Sequence, residues 1–556
     1  MITMSQYRRA CYLVDRYGAG EAFATFLYPN AQGRRSLFTP RTFLIGCLLT
    51  IEVRRTMLYK DIYEVLTRLL PPEAMLELGV AVKTRRDDGK PIAKIVLKTN
   101  HVYAVTQHVR KQCGGGKHGH RIEPDDKAAL LDVVNRVLRA THATRPAGSG
   151  TYAVDESGVW AWSRGRKGNR LVTEDKGGEK YTEVDDVIDD DIRRSVDRDA
   201  NWGGKTAKNG SSEMYFGYSL HGIIRAPAPG AGYDSEPIIL QRLDLTPAST
   251  DIVDATLAMI DQIRTDGVAV EELIGDRHYS FKKADRWVHQ LLKRGIKQVV
   301  DLVSSQQGFT DAAGTRVAAG VPHCPATPNH LGVIPRPGPA PTTPKTLTTA
   351  ETAEQEQKRR EAHRKFSELI AERTQYALQR HARSTADPNS YRWQCPAVAG
   401  KVGCPLRAGT VEVAAAAGLP VIESPPAPAD APKVCTSKGG TVTLKLDDLQ
   451  PKVHQEDYWG SPEWTTSYAR RTYVEGYFGT LKDAAVANLV RGAFRGDCLG
   501  LKLLHVGLCC AMTNFRLVRK WHEKTGNRLD LSDVLLAPDA HPTEFVLDEN
   551  EVNEAA

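Results

Sequence analysis

The sequence predicts an α/β protein: a mixed-sheet core interrupted by a large insertion and preceded by a mainly helical region. Three changes of pattern carry that expectation. Apolar residues recur at three and four positions through residues 1–145 and alternate at two from about residue 150. They then give way to proline-rich, charged sequence from about residue 305.

Taken in order, QYRRACYLVDRYGAGEAFATFL and PRTFLIGCLLTIEVRRTMLYKDIYEVLTRLL read as amphipathic helices of a basic region, residues 1–148. Residues 1–150 hold 24 Lys and Arg against 13 Asp and Glu, a surplus of 11 in a chain whose net charge is +7. Such a block attracts polyanions, so this region is expected to bind DNA. CGGGKHGHR at 113–121 reads as a loop, and Cys113, His118 and His120 match no standard metal spacing. TYAVDESGVWAW, YFGYSLHGIIR and EPIILQRLDLTP are expected strands, followed by a helix in DIVDATLAMIDQIRTDG. LIGDRHYS then reads as a buried strand ending in Asp276, FKKADRWVHQLLKRG as a helix and KQVVDL as a strand. The acidic run at 183–199 is expected to be a solvated excursion.

Residues 149–305 are thus the first part of the core and 306–460 an insertion with proline-rich linkers (VIPRPGPAPTTPK, LPVIESPPAPADAPK) around a charged helix. Residues 461–536 complete the core, with CLGLKLLHVGLCCAMTNFRLVRKW apolar enough to pack inside it. Residues 537–556 form a loose tail.

The composition, 41% apolar, 25% charged and 7% aromatic, is that of a globular chain. Pro40 and Arg41 interrupt the longest apolar run near the N-terminus, and MITMSQYRRA is not a signal sequence, so no membrane association is expected and the location is cytoplasmic, with the nucleoid. Ten cysteines over 556 residues are too sparse for a secreted disulfide scaffold. No glycine-rich phosphate loop suggests a nucleotide cofactor.

The stretch SYARRTYVEGYFGTLKD, residues 467–483, is the most informative. On one helix, Tyr468, Arg471, Glu475 and Lys482 would share an arc of about 60°, with Val474, Tyr477 and Leu481 opposite. One acid within a row of cations suits metal and phosphate together. Asp155 in the first strand and Asp276 at a later strand end supply two more carboxylates. Three hard oxygen donors can hold two Mg²⁺, or Mn²⁺ in their place, about 4 Å apart.

The spacing Tyr468, Arg471, Glu475, Lys482 resembles the YREK signature of bacterial insertion-sequence DDE transposases, as do YAVDESGVWAW around Asp155 and IGDRHYS around Asp276. The resemblance covers about residues 150–305 and 460–520 and implies an RNase H-like catalytic core interrupted before the Glu-bearing helix. It also implies Asp155, Asp276 and Glu475 as catalytic metal ligands, and Tyr468, Arg471 and Lys482 as contacts to terminal phosphates. The implied partners are the element's double-stranded DNA ends and target DNA, held by a homodimer. Arg164, Arg166 and Lys167 in SRGRKGNR are candidate DNA guides. Related hairpin-forming enzymes stack a flipped base on tryptophan, and Trp393, Trp459 and Trp464 are the candidates here. Cys324, Cys395, Cys404 and Cys435, widely spaced and outside any CxxC pattern, could close a structural zinc site. The expected activity is metal-dependent DNA cleavage and strand transfer. Its rivals are a nuclease of the same fold without strand transfer, a catalytically idle DNA-binding descendant, and a zinc-stabilised scaffold.

Overall fold

The computed structural model describes residues 1–30, 38–85, 91–116, 119–142, 150–165, 172–176, 179–183, 195–206, 212–232, 234–338, 349–383, 387, 389–526 and 546–547. The chain divides into two compact units, residues 1–269 with 472–556, and residues 270–471.

The first unit begins with α1 (Met4–Asp15), α2 (Ala19–Leu27), α3 (Pro40–Arg54), α4 (Tyr59–Glu64), which runs into a π-turn, and α5 (Pro72–Glu77). Local chemistry sets their ends. Thr3 and Gln6 form a reciprocal capping box at α1, and Thr39 followed by Pro40 opens α3. The hairpin of β1 (Ala81–Arg85) and β2 (Pro91–Ile95) interrupts the helices before α6 (Thr99–Gln112) and α7 (Pro124–Arg139). The sheet follows: β3 (Thr151–Trp160), a separate hairpin of β4 (Val172–Lys176) and β5 (Glu179–Glu183), then β6 (Asn201–Thr206), β7 (Ser212–Arg225) and β8 (Leu240–Pro247). All pairings of β7 are antiparallel: β3 along one edge, β6 and β8 in succession along the other. The helix α8 (Ile252–Thr265), capped by Asp251, packs on β7 and β8.

The second unit opens with β9 (Glu272–Ile274), α9 (Arg277–Ser280), α10 (Val288–Lys293) and β10 (Lys297–Val299), the strands pairing in parallel. The single helix expected over 281–295 is reduced to α10, with hydrogen-bonded turns before it. The antiparallel sheet β11 (Thr310–Ala312), β12 (Thr315–Ala318), β13 (Val321–His323) follows. Next is α11 (Thr349–Tyr376), a long exposed helix with i,i+4 pairs such as Glu356–Arg360. Then come β14 (Gln379–Arg383), β15 (Ser390–Gln394), α12 (Thr410–Ala416), α13 (Lys433–Thr436) and β16 (Thr441–Lys445), in which β15 pairs with both β14 and β16. The unit closes with α14 (Pro462–Ala469). Its two ends are stitched together: Glu272 accepts from Arg470 Nη2 at 2.5 Å and from Ser467 Oγ at 3.0 Å.

The chain returns to the first unit as α15 (Thr472–Lys482), α16 (Leu499–Thr525) and β17 (Val546–Leu547), which adds to β2. Among the described residues α16 alone is long and apolar enough to cross a membrane, and 89% of its most apolar window is buried inside the protein. It packs against α3, α6, α7 and β8, so the N-terminal helices and the sheet surround one helix. Asp199 strengthens that assembly by accepting the backbone N–H of both Ile122 and Leu499 at 2.9 Å. The α/β expectation therefore holds, with mixed pairing across the protein's sheets.

Candidate functional site

The continuous helix expected over 467–483 is two helices. The N–H of Arg470 bonds the Ser467 carbonyl at 3.2 Å and that of Arg471 the Tyr468 carbonyl at 3.0 Å, both three residues back, which tightens and ends α14. The buried Arg470 side chain also turns back onto Ser467 and Glu272. Tyr468 and Arg471 therefore belong to the second unit, whereas Glu475 and Lys482 ride on α15 in the first.

In the first unit, α15 buries Tyr473, Val474, Tyr477, Phe478 and Leu481, including the apolar face expected from the sequence. Tyr477 donates its hydroxyl to the Cys510 carbonyl at 3.0 Å, fixing α15 to α16. Phe478 lies over Gly222, the residue paired with Asp155 across β3 and β7. A Cβ on Gly222 would stand 2.9 Å from Phe478 Cζ, so only glycine admits this approach. Side chains directly opposite each other in an antiparallel pair point to the same face, so α15 covers the face that carries Asp155. Ser157, two residues further along β3, shares that face and accepts a hydrogen bond from Lys482 Nζ at 2.6 Å.

Asp155 is half-buried, its Oδ1 accepting the N–H of Glu156 at 2.8 Å, and Glu475 is exposed. Gly476 and Gly479 leave the outer side of α15 bare: a Cβ at either would meet no atom within 4 Å. Two glycines inside an eleven-residue helix cost about 1 kcal/mol each relative to alanine, so this smooth surface beside Glu475 is held against local propensity.

Beyond the end of β3, Arg491 lies over the Trp160 ring at 5.8 Å and Arg495 over Trp162 at 5.1 Å. Trp162 and both arginines are exposed. Arg164, also exposed, follows in the chain; Arg166 and Lys167 lie outside the described residues. Sequence reasoning passed over this cation and aromatic cluster because its members are some 330 residues apart in the chain.

In the second unit, Asp276 caps α9, its Oδ1 accepting the His278 N–H at 2.8 Å. Tyr468 stacks on Trp464 with ring centroids 4.8 Å apart, and Arg471 lies over Tyr468 at 5.7 Å. Burial pushes the Tyr468 hydroxyl pKa up, aided by the charges of Asp301 and Asp276 and opposed by Arg471 and Arg336; the group remains a neutral donor. Asp301, fully buried just after β10, organises the surroundings. It accepts from Arg277 Nε and Arg336 Nη1, each at 2.7 Å, from Trp459 Nε1 at 3.1 Å and from the Leu302 N–H at 2.9 Å. Arg336 in turn spans the Trp464 and Tyr468 rings at 5.0 and 5.1 Å. Asp301 was legible as the acid of KQVVDL; Arg336, within a proline-rich linker, carried no spacing signal.

The three tryptophans named as stacking candidates are all buried. Trp459 and Trp464 pack together with centroids 6.0 Å apart, each spending its indole N–H internally, and Trp393 belongs to the core around β15. The four cysteines named as a zinc set are buried in that same core. Among the described residues, no group of three or more His, Cys, Asp or Glu stands ready at metal-coordinating spacing. The donor chemistry of Asp155 and Glu475 nevertheless suits a hard cation: both are solvent-reached carboxylates, and Mg²⁺ keeps several waters while taking only one or two protein oxygens. When the chain is compared with known proteins, no family, no curated protein and no solved structure matches it.

Proposed function

We propose that the chain is a DNA transposase of the DDE type, with an RNase H-like core, that cleaves the ends of its mobile element and joins them to target DNA. The observation that supports this best lies within the first unit. Lys482 bonds Ser157 on the face of β3 that carries Asp155, some 325 residues earlier in the chain, and Glu475 rides on the same helix, which is bare of side chains beside the acid. Such a surface suits close approach of a phosphodiester backbone. The reading requires Asp276 to act with Asp155 and Glu475.

In this reading Asp155, Asp276 and Glu475 hold Mg²⁺, which when bound supplies Lewis acidity and an activated oxygen nucleophile at the scissile phosphate. Lys482, tethered to Ser157, is a point charge for a phosphate close to Asp155. Tyr468 donates through its neutral hydroxyl, and the Arg471 guanidinium beside it can take two phosphate oxygens. Arg491, Arg495 and the exposed Trp162 extend the cationic surface along the DNA.

The test is cleavage and strand transfer of labelled element-end DNA with Mg²⁺ or with chelator, comparing the parent protein with Glu475→Gln. Metal-dependent activity is expected to fall at least about a thousandfold in the variant while DNA binding is retained. Equal activity in both proteins refutes the assignment. Cleavage without joining of a pre-cut end selects the nuclease reading instead.

A further inference from the structure

We propose that Cys324, Cys395, Cys404 and Cys435 bind one structural zinc ion that ties together the irregular part of the second unit. These residues come from four places: the end of β13, the end of β15, the loop before α12, and α13. All four are buried members of one core cluster, with Val402, Ile422, Val434 and Leu444 among their neighbours. Six other cysteines are spread over the first unit, whereas all four cysteines of the second fall in one core cluster.

Three of the four open a Cys-Pro-X step: Cys324-Pro325-Ala326, Cys395-Pro396-Ala397 and Cys404-Pro405-Leu406. Proline fixes its own φ and so aims the next peptide N–H back towards the cysteine. In two of these steps that N–H is directed at the cysteine, Ala326 at Cys324 and Leu406 at Cys404.

The surroundings are short of acceptors. Arg407 Nε, Ser437 Oγ and Trp393 Nε1 are buried without hydrogen-bond partners, and all three flank the cysteines. Arg407 donates Nη1 to the Ser437 carbonyl at 2.7 Å and Nη2 to the Val434 carbonyl at 2.9 Å, clamping the chain on both sides of Cys435. Thiolate sulfurs around a cation would give these donors acceptors, and the guanidinium would offset the site's negative charge.

The architecture calls for such a tie. Between β15 and β16 the chain runs from Cys395 to Gly440 with only α12 and α13, seven and four residues long. Stretches of this length with so little regular structure are uncommon in compact units, and a metal link compensates for a small core. The thiols do not yet stand at coordinating spacing, so closure requires side-chain rotation to bring each sulfur to about 2.3 Å from the ion. The balance is one Zn²⁺ and four thiols giving a tetrathiolate zinc centre of charge −2 and four protons released to solvent. Four protein ligands leave no open position, so the role is structural.

The inference does not rest on the transposase reading, because metal content is measured without DNA. The full chain, purified reduced from zinc-supplemented culture, is expected to carry about one zinc per chain by mass spectrometry. Cobalt substitution should give thiolate charge-transfer bands and the intense visible bands of a tetrahedral centre. Cys404→Ser should abolish stoichiometric zinc, whereas Cys47→Ser and Cys509→Ser, in the first unit, should keep it. If Cys404→Ser fails to fold, the parent protein's metal content and cobalt spectrum decide alone. A parent protein without zinc and without cobalt–thiolate bands, its ten thiols reduced, overturns the proposal, as does equal zinc loss in all three variants.

Discussion

A buried carboxylate holds Tyr468 and its neighbours in place. Asp301 has no solvent exposure and answers two guanidiniums, an indole and a backbone N–H, so its charge is fully engaged. Asp301→Asn keeps the shape but strands cationic donors, and such losses typically cost about 3–5 kcal/mol. Denaturant unfolding should show that drop, and Arg336→Met, which removes one cation, should cost less. A second residue-scale prediction concerns acid. His323 is fully buried, its Nε2 at 2.7 Å from the Tyr458 hydroxyl, and burial with the Arg373 charge lowers its pKa to about 3. The unfolded chain takes up a proton near pH 6.5 that the folded chain refuses, so stability falls as pH drops from about 6.5 towards 3. The loss is on the order of a few kcal/mol. Melting temperature against pH should slope less steeply in His323→Asn, with His454, also lowered by burial, retaining part of the slope.

The motif's placement, unlike its residue content, depends on where a helix stops. The sequence made the carboxylate and cation spacing legible, and it made α15's buried face legible through the recurrence of Val474, Tyr477 and Leu481. It did not reveal the break between α14 and α15, because that break comes from Arg470 turning back to Glu272, a partner 198 residues away. Nor could it show why Gly222 is glycine, which depends on Phe478 crossing the sheet at that point. The glycines of this region separate two effects. Gly222→Ala forces Phe478 and Leu240 aside, so about 1–3 kcal/mol of stability and most DNA cleavage should be lost. Gly479→Ala meets open space on a helix and should raise stability by up to about 1 kcal/mol. If the bare surface serves DNA, calorimetry will show a more stable protein whose strand-transfer rate has nevertheless fallen.

At the scale of the whole chain, the expected insertion at 306–460 lies within a larger unit, residues 270–471, that also takes in β9, β10 and α14. The sheet pattern was expected to be lost from about residue 305, yet β11 to β16 form two antiparallel sheets beyond that point, because which segments pair and share a core is set by long-range contacts that composition does not encode. Asp155 and Glu475 therefore belong to the first unit and Asp276 to the second.

The pairing of Glu272 with Arg470 and Ser467 has a consequence for how such a protein can change over time. Because these contacts bring together the first and last residues of the second unit, its start and finish emerge side by side. A cassette of this kind can be gained, exchanged or replaced by a short linker with little disturbance to its host, since closing the loop requires only a few residues at each junction. The first unit can thus keep its own core while the chain held between residues 269 and 472 changes in length.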